Sequence, residues 1–285
     1  PADLEAARAE LAANHNTQVT VHAIDMAARG AAEALGAKCG DLDILVNNAG
    51  ATPRGALDEV DEERWRKAFD LKVFGYVNLS RVFYSRMKAR RRGVIVNIIG
   101  NGGERVDYGY IAGAAGNAAL MAFTRALGAG SIDFGVRAVG VNPGPVATER
   151  LVGLMQKEAE GRYGDSGRWR EFEKGFPLGR SATPDEVAAT VALLASDLSA
   201  YTTGTIVIRP DLFPSLPSTI TILGPDADFD GGSSSAKLYD GNDGNPHCPG
   251  GDPGLHVPVV GVIGAASEIS AEAGVQKPAS YDENG

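Results

Sequence analysis

The chain has 285 residues, of which 44% are apolar, and its formal net charge of −9 at pH 7 makes it acidic. This composition supplies enough apolar side chains for a sizeable core, while the acidic balance argues against a nucleic-acid partner, because phosphate binding needs a basic surface. No apolar run is long enough to cross a membrane, and two cysteines, Cys39 and Cys248, are too few for a disulfide framework, which favours a reducing, cytoplasmic compartment.

Predicted helices and strands alternate along the first fifty residues. Apolar residues at helical spacing predict helices over Asp3–Ala13 and Ala27–Leu35, with a short strand at Gln18–Ile24 between them. The apolar run Ile44–Val46 predicts a second strand, which ends in the sequence NNAG at Asn47–Gly50. Because no hairpin signal separates these elements, the alternation predicts a parallel sheet with helices on both faces.

The same alternation continues through the middle of the chain. Apolar residues spaced by four predict one long amphipathic helix over Asp61–Phe83. A β-branched run predicts a strand at Gly93–Ile99, a helix follows from Tyr110 to about Leu127, and Val136–Val141 predicts the next strand. These elements extend the predicted parallel sheet.

Two further elements complete this part of the chain. Leu151–Phe176 alternates charged and aromatic residues, and we expect it to form a mobile helical lid over the sheet edge. Thr183 followed by Pro184 is a strong helix start, and Tyr201–Ile208 predicts the final strand. Residues 1–208 are therefore predicted to form one domain.

The composition changes after Ile208. Arg209–Gly285 is rich in Pro, Gly, Ser and Asp and has only two apolar runs, Ile220–Leu223 and Val257–Ile263. Such a segment rarely buries enough apolar surface to offset the entropy of ordering it. We predict that this C-terminal tail, residues 209–285, is largely disordered.

The tail contains one pattern with the spacing of calcium ligands. Asp226, Asp228 and Asp230 precede Gly231, as in the opening of a calcium loop. The twelfth position of that loop, where a glutamate closes the site, is Lys237. We therefore expect no metal site.

The stretch Gly93–Ala119 has the strongest signal for chemistry. Its strand stops at a glycine cluster, and a helix rich in small residues then begins near Tyr110. Ligands in open α/β sheets bind at the carboxyl ends of the strands. Tyr110 is thus predicted to lie beside a binding site.

Five motifs in order resemble landmarks of the short-chain dehydrogenase/reductase family. They are NNAG at Asn47–Gly50, the strand-and-tyrosine segment, NPGPVAT at Asn142–Thr148, GRSATPDEVA from Gly179 and LLASDLSAYTTG from Leu193. The resemblance implies a Rossmann-type doubly wound parallel sheet in three layers (α/β/α). It also implies NAD or NADP as cofactor, hydride transfer to or from a small-molecule carbonyl or alcohol, and a homo-oligomer, either a dimer or a tetramer.

The chain departs from this family at both ends. Family members begin with a strand, a TGxxxGxG turn that holds the pyrophosphate, and a second strand. This chain begins at Pro1 within a helical pattern, so we expect a fragment that lacks the first βαβ unit and binds dinucleotide poorly. At the other end, the family's closing DGG segment is replaced by the tail.

The catalytic positions implied by the resemblance are also changed. Tyr110 fits the family's tyrosine, but the lysine expected four residues later is Ala114. The serine position falls at Ile99 or Gly100, with Asn101 the nearest polar side chain, and Lys72 stands where an asparagine is expected. A positive charge about 4 Å from a phenol contributes roughly 4 kcal/mol, or about three pKa units, so its loss predicts impaired catalysis.

Lys72 is the candidate for restoring that charge. We hypothesise that its ammonium takes the electrostatic role vacated at Ala114, which would make Tyr110, Lys72 and Asn101 the catalytic set. The alternative interpretation is a surface lysine with no part in the reaction.

The resemblance also implies a set of cofactor-binding residues. They are Asp25, Asn48, Ala49, Gly50, Tyr110, Pro143, Gly144, Val146 and Thr148, although a plain turn role for Asp25 fits the sequence equally well. The leading interpretation is an NAD(P)-dependent oxidoreductase. The alternatives are a catalytically inactive Rossmann-like binding or scaffold protein and a non-functional fragment.

Overall fold

The computed structural model describes residues 2–15, 17–208 and 259–262. The helices are α1 (Ala2–His15), α2 (Ala31–Cys39), α3 (Glu62–Phe69), α4 (Gly75–Arg90), α5 (Ile111–Ser131), α6 (Glu149–Tyr163) and α7 (Pro184–Ala195). The strands are β1 (Ile44–Asn47), β2 (Gly93–Ile98), β3 (Val136–Asn142), β4 (Ile206–Ile208) and β5 (Val259–Val262). Short 3₁₀ segments cover Asn101–Gly103 and Ser166–Gly175.

The five strands form one parallel sheet in the order β4-β3-β2-β1-β5. Ile44 of β1 lies opposite Val94 of β2 on one side and Val259 of β5 on the other. From β1 the chain places β2, β3 and β4 successively on one side, whereas β5 lies on the opposite side. The strand order therefore reverses at β1, and in open α/β sheets such a reversal opens a crevice for ligands.

Helices cover the sheet on both faces, which gives the predicted three-layer α/β/α arrangement. On the face that we call the α4 face, Leu45 and Ile95 are fully buried against Leu79 and Phe83 of α4. On the opposite face, the α7 face, Val96, Val139 and Val141 pack against Leu194. The β-branched runs are buried because a parallel sheet has no solvent-facing side.

The strand predicted at Gln18–Ile24 is wrong, because residues 17–25 have no regular secondary structure. A strand is stable only when it pairs with a neighbour, and residues 17–25 pair with none of the five described strands. The helix predicted over Ala27–Leu35 begins later, at Ala31, because Gly30 adopts a positive φ of 79° and a turn precedes it.

The helix predicted over Asp61–Phe83 is divided into α3 and α4. A π-helical turn, Asp70–Phe74, lies between them. The two helices and this turn form one continuous helical rod, in which the backbone hydrogen-bond pattern changes at the turn. The final strand is shorter than predicted, since only Ile206–Ile208 pair with β3. The predicted start of α7 is confirmed, because Thr183 forms a full capping box with Glu186.

Only β5 of the C-terminal tail is described. It comes from the apolar run Val257–Ile263 and joins the main sheet. The prediction of disorder elsewhere in the tail, and the calcium-like pattern at Asp226–Lys237, lie outside the described residues. Among the helices of the described ranges, none is long and apolar enough to cross a membrane.

Candidate active site

The loops after β1, β2 and β3 meet at one edge of the sheet, because parallel strands end on the same side. The first loop is Asn48–Gly50, the second is Ile99–Gly103, and the third, which we call the proline loop, is Asn142–Thr148. The second and third are joined directly, since the N–H of Asn101 donates to the carbonyl of Pro143 at 3.4 Å. This edge is where the predicted site residues gather.

Lys72 enters this edge from the π-helical turn. Its Nζ donates to the carbonyl oxygen of Ile99 at 2.5 Å, so the ammonium lies just after β2, where the resemblance places the serine at Ile99 or Gly100. Its stem runs along Gly50, where an added Cβ would lie 3.1 Å from the lysine Cδ. Single π-helical turns often occur at functional sites, and this one delivers a charged group to the end of β2.

The Lys72 ammonium is destabilised in this position. Burial, and after it the positive charge of Arg150, lower its pKa from the usual value to about 8. At neutral pH the group still carries its proton, but it releases that proton more readily than an exposed lysine does. A pKa close to the working pH is the property expected of a general acid.

Tyr76 lies one turn beyond Lys72 on the same side of the helical rod. Its hydroxyl donates to the carbonyl of Ile98 at 2.8 Å, and its side chain is almost completely buried. Burial raises the pKa of Tyr76 well above its usual range, so it stays protonated. The sequence interpretation missed Tyr76, although its spacing of four residues from Lys72 was visible.

Tyr110 stands at the N-terminus of α5, as predicted, but its ring lies against its own helix. An added Cβ on Gly113 would come within 2.0 Å of the tyrosine Cζ, and one on Gly102 within 3.1 Å of Cε1. The Arg54 guanidinium lies 5.9 Å from the ring centroid on the outer side. Two glycines therefore make room for the ring in this position.

Two positions near Tyr110, which we call the helper positions, are those where the resemblance implies a lysine and a serine, and neither carries a functional side chain. Ala114 is buried on α5, and Gly100 has a φ of 121°, a conformation that strains any residue with a side chain. Asn101, the next polar residue, is buried in the 3₁₀ turn after β2. The structure thus brings Lys72 and Asn101 to the end of β2.

Hydrogen bonds between buried asparagines hold the carboxyl ends of β1 and β2 in place. The Nδ2 of Asn47 donates to Asn97 Oδ1 at 2.8 Å and to Ser80 Oγ at 3.2 Å. The Nδ2 of Asn97 donates in turn to Thr124 Oγ1 at 2.9 Å. Because these bonds link β1 and β2 to α4 and α5, they hold the strand ends in a fixed position.

A cleft of about 1060 Å³ opens at the same edge. Asn48, Pro143, Val146 and Thr148 line its mouth, and it continues along the α7 face. Ligand sites of this kind combine mostly apolar walls with a few polar groups. The apolar and amide or hydroxyl groups present fit the nicotinamide half of a dinucleotide.

The proline loop is held rigidly at the mouth of this cleft. The N–H of Ala147 donates to the carbonyl of Ala182 at 2.8 Å, and the N–H of Ala182 donates to that of Pro145 at 2.9 Å. Thr148 is the N-cap of α6 and accepts from the N–H of Leu151 at 3.3 Å. Gly144 lies between the residues that line the cleft.

The remaining predicted cofactor residues have different positions. Ala49 is buried in the core of the α4 face. Asp25 is exposed, and its carboxylate accepts from the N–H of Ala27 at 3.0 Å, which is a local turn contact. Within residues 2–15, 17–208 and 259–262, no group of three His, Cys, Asp or Glu side chains could hold a metal ion.

Comparison with known proteins identifies relatives of this chain. The family model described as "Enoyl-(Acyl carrier protein) reductase" matches residues 2–209. The chain is 33% identical to the 2,3-dihydro-2,3-dihydroxybenzoate dehydrogenase of Escherichia coli, over 57% of this chain and 65% of that protein. It is 34% identical to the 3-oxoacyl-(acyl-carrier-protein) reductase of Chlamydia muridarum, over 60% of this chain and 64% of that protein.

The fold also matches solved structures. L-sorbose reductase from Gluconobacter frateurii, complexed with NADPH and L-sorbose, superposes with a TM-score of 0.69 and 25% identity. The match covers 75% of this chain and 84% of that one. The chain spans slightly less than two thirds of the length of the two curated relatives that it matches.

Proposed function

The chain belongs to the short-chain dehydrogenase/reductase family, and from that premise we propose that it is an NAD(P)-dependent oxidoreductase. Its substrate would be a small molecule with a carbonyl or alcohol group, as for its oxidoreductase relatives. When bound, the nicotinamide supplies or accepts the hydride. Asn48, Thr148 and the proline loop would hold its nicotinamide half at the mouth of the cleft.

The observation that carries this proposal is the position of Lys72. Its ammonium lies at the carboxyl end of β2, bonded to the Ile99 carbonyl and beside Gly100. A carbonyl oxygen that approaches Gly100 would meet this cation in place of a serine hydroxyl. Reduction of a carbonyl places negative charge on its oxygen, and a fixed cation at that point stabilises the charge.

Each residue of the proposed catalytic set has a separate role. Lys72 holds the proton and gives it to the substrate oxygen, for which its pKa of about 8 is suitable. Asn101, the polar residue after Gly100, orients that oxygen. The Tyr110 hydroxyl provides a second acid–base contact once its ring turns away from Gly113. General acid catalysis of this kind contributes about 10²–10⁴ in rate.

The alternative is a protein that binds the cofactor without transferring hydride. The substitutions at Ala114 and Gly100 favour it, because they remove the family's two helper side chains. Cofactor binding without turnover would be its signature. A non-functional fragment would neither bind nor turn over.

The deciding experiment measures NADH and NADPH binding by the full chain, followed by turnover against a panel of ketones and alcohols. We expect Lys72→Met to reduce turnover by about a hundredfold or more and to remove a pH dependence centred near 8. The control is Lys67→Met, which removes an exposed lysine from α3. Equal turnover in wild type and Lys72→Met would exclude Lys72 from the mechanism.

We also propose that the protein assembles as a dimer or tetramer. Leu57 and Phe74 are 64% and 53% exposed, and together with Trp65 they line a shallow surface depression. Exposed apolar patches of this kind mark association surfaces. Sedimentation of the full chain measures the assembly state directly.

A further inference from the structure

A buried amide on α5 faces the position where the resemblance implies a serine. Asn117 is only 2% exposed, and it lies about two helical turns after Tyr110. A Cβ added to Gly100 would lie 3.1 Å from the Nδ2 of Asn117 and 3.8 Å from its Oδ1. Residues two turns apart share one side of a helix, so Tyr110 and Asn117 both face the turn that follows β2.

Glycines in this turn let the two side chains approach the backbone. A Cβ added to Gly102 would lie 3.1 Å from the Cε1 of Tyr110 and 3.5 Å from the Nδ2 of Asn117. Gly100 has a φ of 121°, which disfavours any side chain at that position. The space that a serine side chain would enter is therefore bordered by the Asn117 amide.

The Asn117 amide has hydrogen-bonding capacity that the described part of the chain does not use. No group within residues 2–15, 17–208 and 259–262 donates to its buried Oδ1. A buried polar atom without a partner destabilises a folded protein. Contact with a bound ligand is one reason for such an atom to be present, and the nearest space for a ligand atom is beside Gly100.

We propose that Asn117 supplies the hydrogen bond to the substrate oxygen that a serine at position 100 would supply. The inference rests on the oxidoreductase function proposed above. The Nδ2 donates to the oxygen of a carbonyl substrate, and the Oδ1 accepts from the hydroxyl of an alcohol substrate. Asn117 transfers no proton: in reduction the hydride adds to the carbonyl carbon, and the oxygen receives its proton from the Lys72 ammonium, which is bonded to the adjacent Ile99 carbonyl.

This role is separate from those of the other polar residues at the edge. Asn48, Pro143 and Thr148 line the cleft assigned to the cofactor, and Asn117 does not. Asn101 approaches the substrate oxygen from the turn after β2, whereas Asn117 approaches it from α5. The loss of Asn117 should therefore slow the reaction and leave the affinity for the cofactor unchanged.

Asn117→Leu in the full chain tests the inference, because leucine is similar in size and has no hydrogen-bonding group. With NADPH and the ketone that wild type reduces fastest, we expect kcat to fall about a hundredfold, while NADPH binding in a fluorescence titration stays unchanged. The denaturant midpoint should not fall, because leucine removes an unpartnered buried oxygen. Asn117→Ala provides the same comparison if circular dichroism shows that the leucine variant is unfolded.

Ser131→Ala is the matched control. It removes another buried polar side chain from α5, at the opposite end of the helix, where the Ser131 hydroxyl donates to the carbonyl of Val136 at 2.7 Å. This variant should lower the denaturant midpoint and leave kcat unchanged. It shows what the loss of a purely structural hydrogen bond does in the same helix.

Two results would overturn the inference. If wild type is active and Asn117→Leu keeps the wild-type kcat, the inference alone fails, and a midpoint lowered as in Ser131→Ala would assign Asn117 a structural role. If wild type reduces no ketone of the panel, the proposed function fails, and the inference that rests on it fails as well.

Discussion

Two neighbouring loops at the carboxyl edge of the sheet differ in how closely they follow the motifs of the family. The proline loop after β3 keeps the family motif, and backbone hydrogen bonds between Ala147, Ala182 and Pro145 hold it in place. The tyrosine segment after β2, residues 100–114, keeps Tyr110 but has glycine and alanine at the helper positions. Under the proposed assignment, the proline loop retains a cofactor-binding surface, whereas the tyrosine segment lacks the two side chains that the resemblance implies.

The difference arises because main-chain atoms hold the first loop in place, whereas the second loop needs particular side chains for its chemistry. The proline loop is fixed by main-chain groups, which most substitutions leave unchanged. The tyrosine segment depends on side chains at two positions, and replacing them leaves the backbone intact because α5 starts normally at Ile111. Fold and catalysis can therefore change separately at adjacent strands, so variants should affect the two loops in separable ways.

The largest effect is expected from Ala114→Lys, which returns a cation to the tyrosine segment. A lysine four residues after Tyr110 lies on the same side of α5. An ammonium about 4 Å from the phenol lowers the phenol pKa by about three units, which raises the tyrosinate fraction near neutral pH by up to about a thousandfold. Titration of tyrosinate absorbance measures this shift without an activity assay.

Ala114→Met is the control, because it adds a side chain of similar length without the charge. Adding Tyr110→Phe to the lysine variant should remove the shifted titration and so assign it to Tyr110. If the lysine variant titrates like the methionine variant, the Tyr110 ring on Gly113 is out of reach of position 114. The electrostatic role proposed for position 114 would then be excluded for this chain.

Most of the helices and strands can be predicted from the sequence, because the spacing of apolar residues and the presence of turn residues determine local structure. The β-branched runs gave β1, β2 and β3 close to their observed bounds, and the Thr183 cap gave the start of α7. The strand predicted at Gln18–Ile24 failed because pairing depends on a distant neighbour. The π-helical turn at Asp70–Phe74 was not predictable from the helical spacing around it, although it positions Lys72.

A smaller effect is expected on stability from Lys72→Met. Burial and the charge of Arg150 lower the pKa of Lys72 from 10.5 to about 8, so keeping the ammonium in the folded chain at neutral pH costs up to about 3 kcal/mol. Partial exposure and the bond to Ile99 reduce the net gain to about 1–2 kcal/mol. Denaturant unfolding at pH 7 should therefore show that the variant is more stable.

The stability difference between wild type and Lys72→Met should depend on pH in a defined direction. Between pH 8 and 10.5 the unfolded chain holds the Lys72 proton while the folded chain has released it, so wild-type stability rises with pH across that window. Below pH 8 the full cost is present. The advantage of Lys72→Met should thus shrink as pH rises, whereas the Lys67→Met control should show no such trend. A constant difference at all pH values would contradict the proposed burial of the cation.

The smallest effect compares two helix caps, one in the proline loop and one away from the site. Thr148 accepts from the Leu151 N–H at 3.3 Å, and Thr183 accepts from the Glu186 N–H at 3.2 Å. Replacing either by alanine should lower the free energy of unfolding by about 1 kcal/mol. Only Thr148 lines the cleft, so only Thr148→Ala should also weaken NADH or NADPH binding in a fluorescence titration. Equal losses of binding in both variants would mean that the cap acts through stability alone and that the proline loop contributes no hydroxyl to the cofactor.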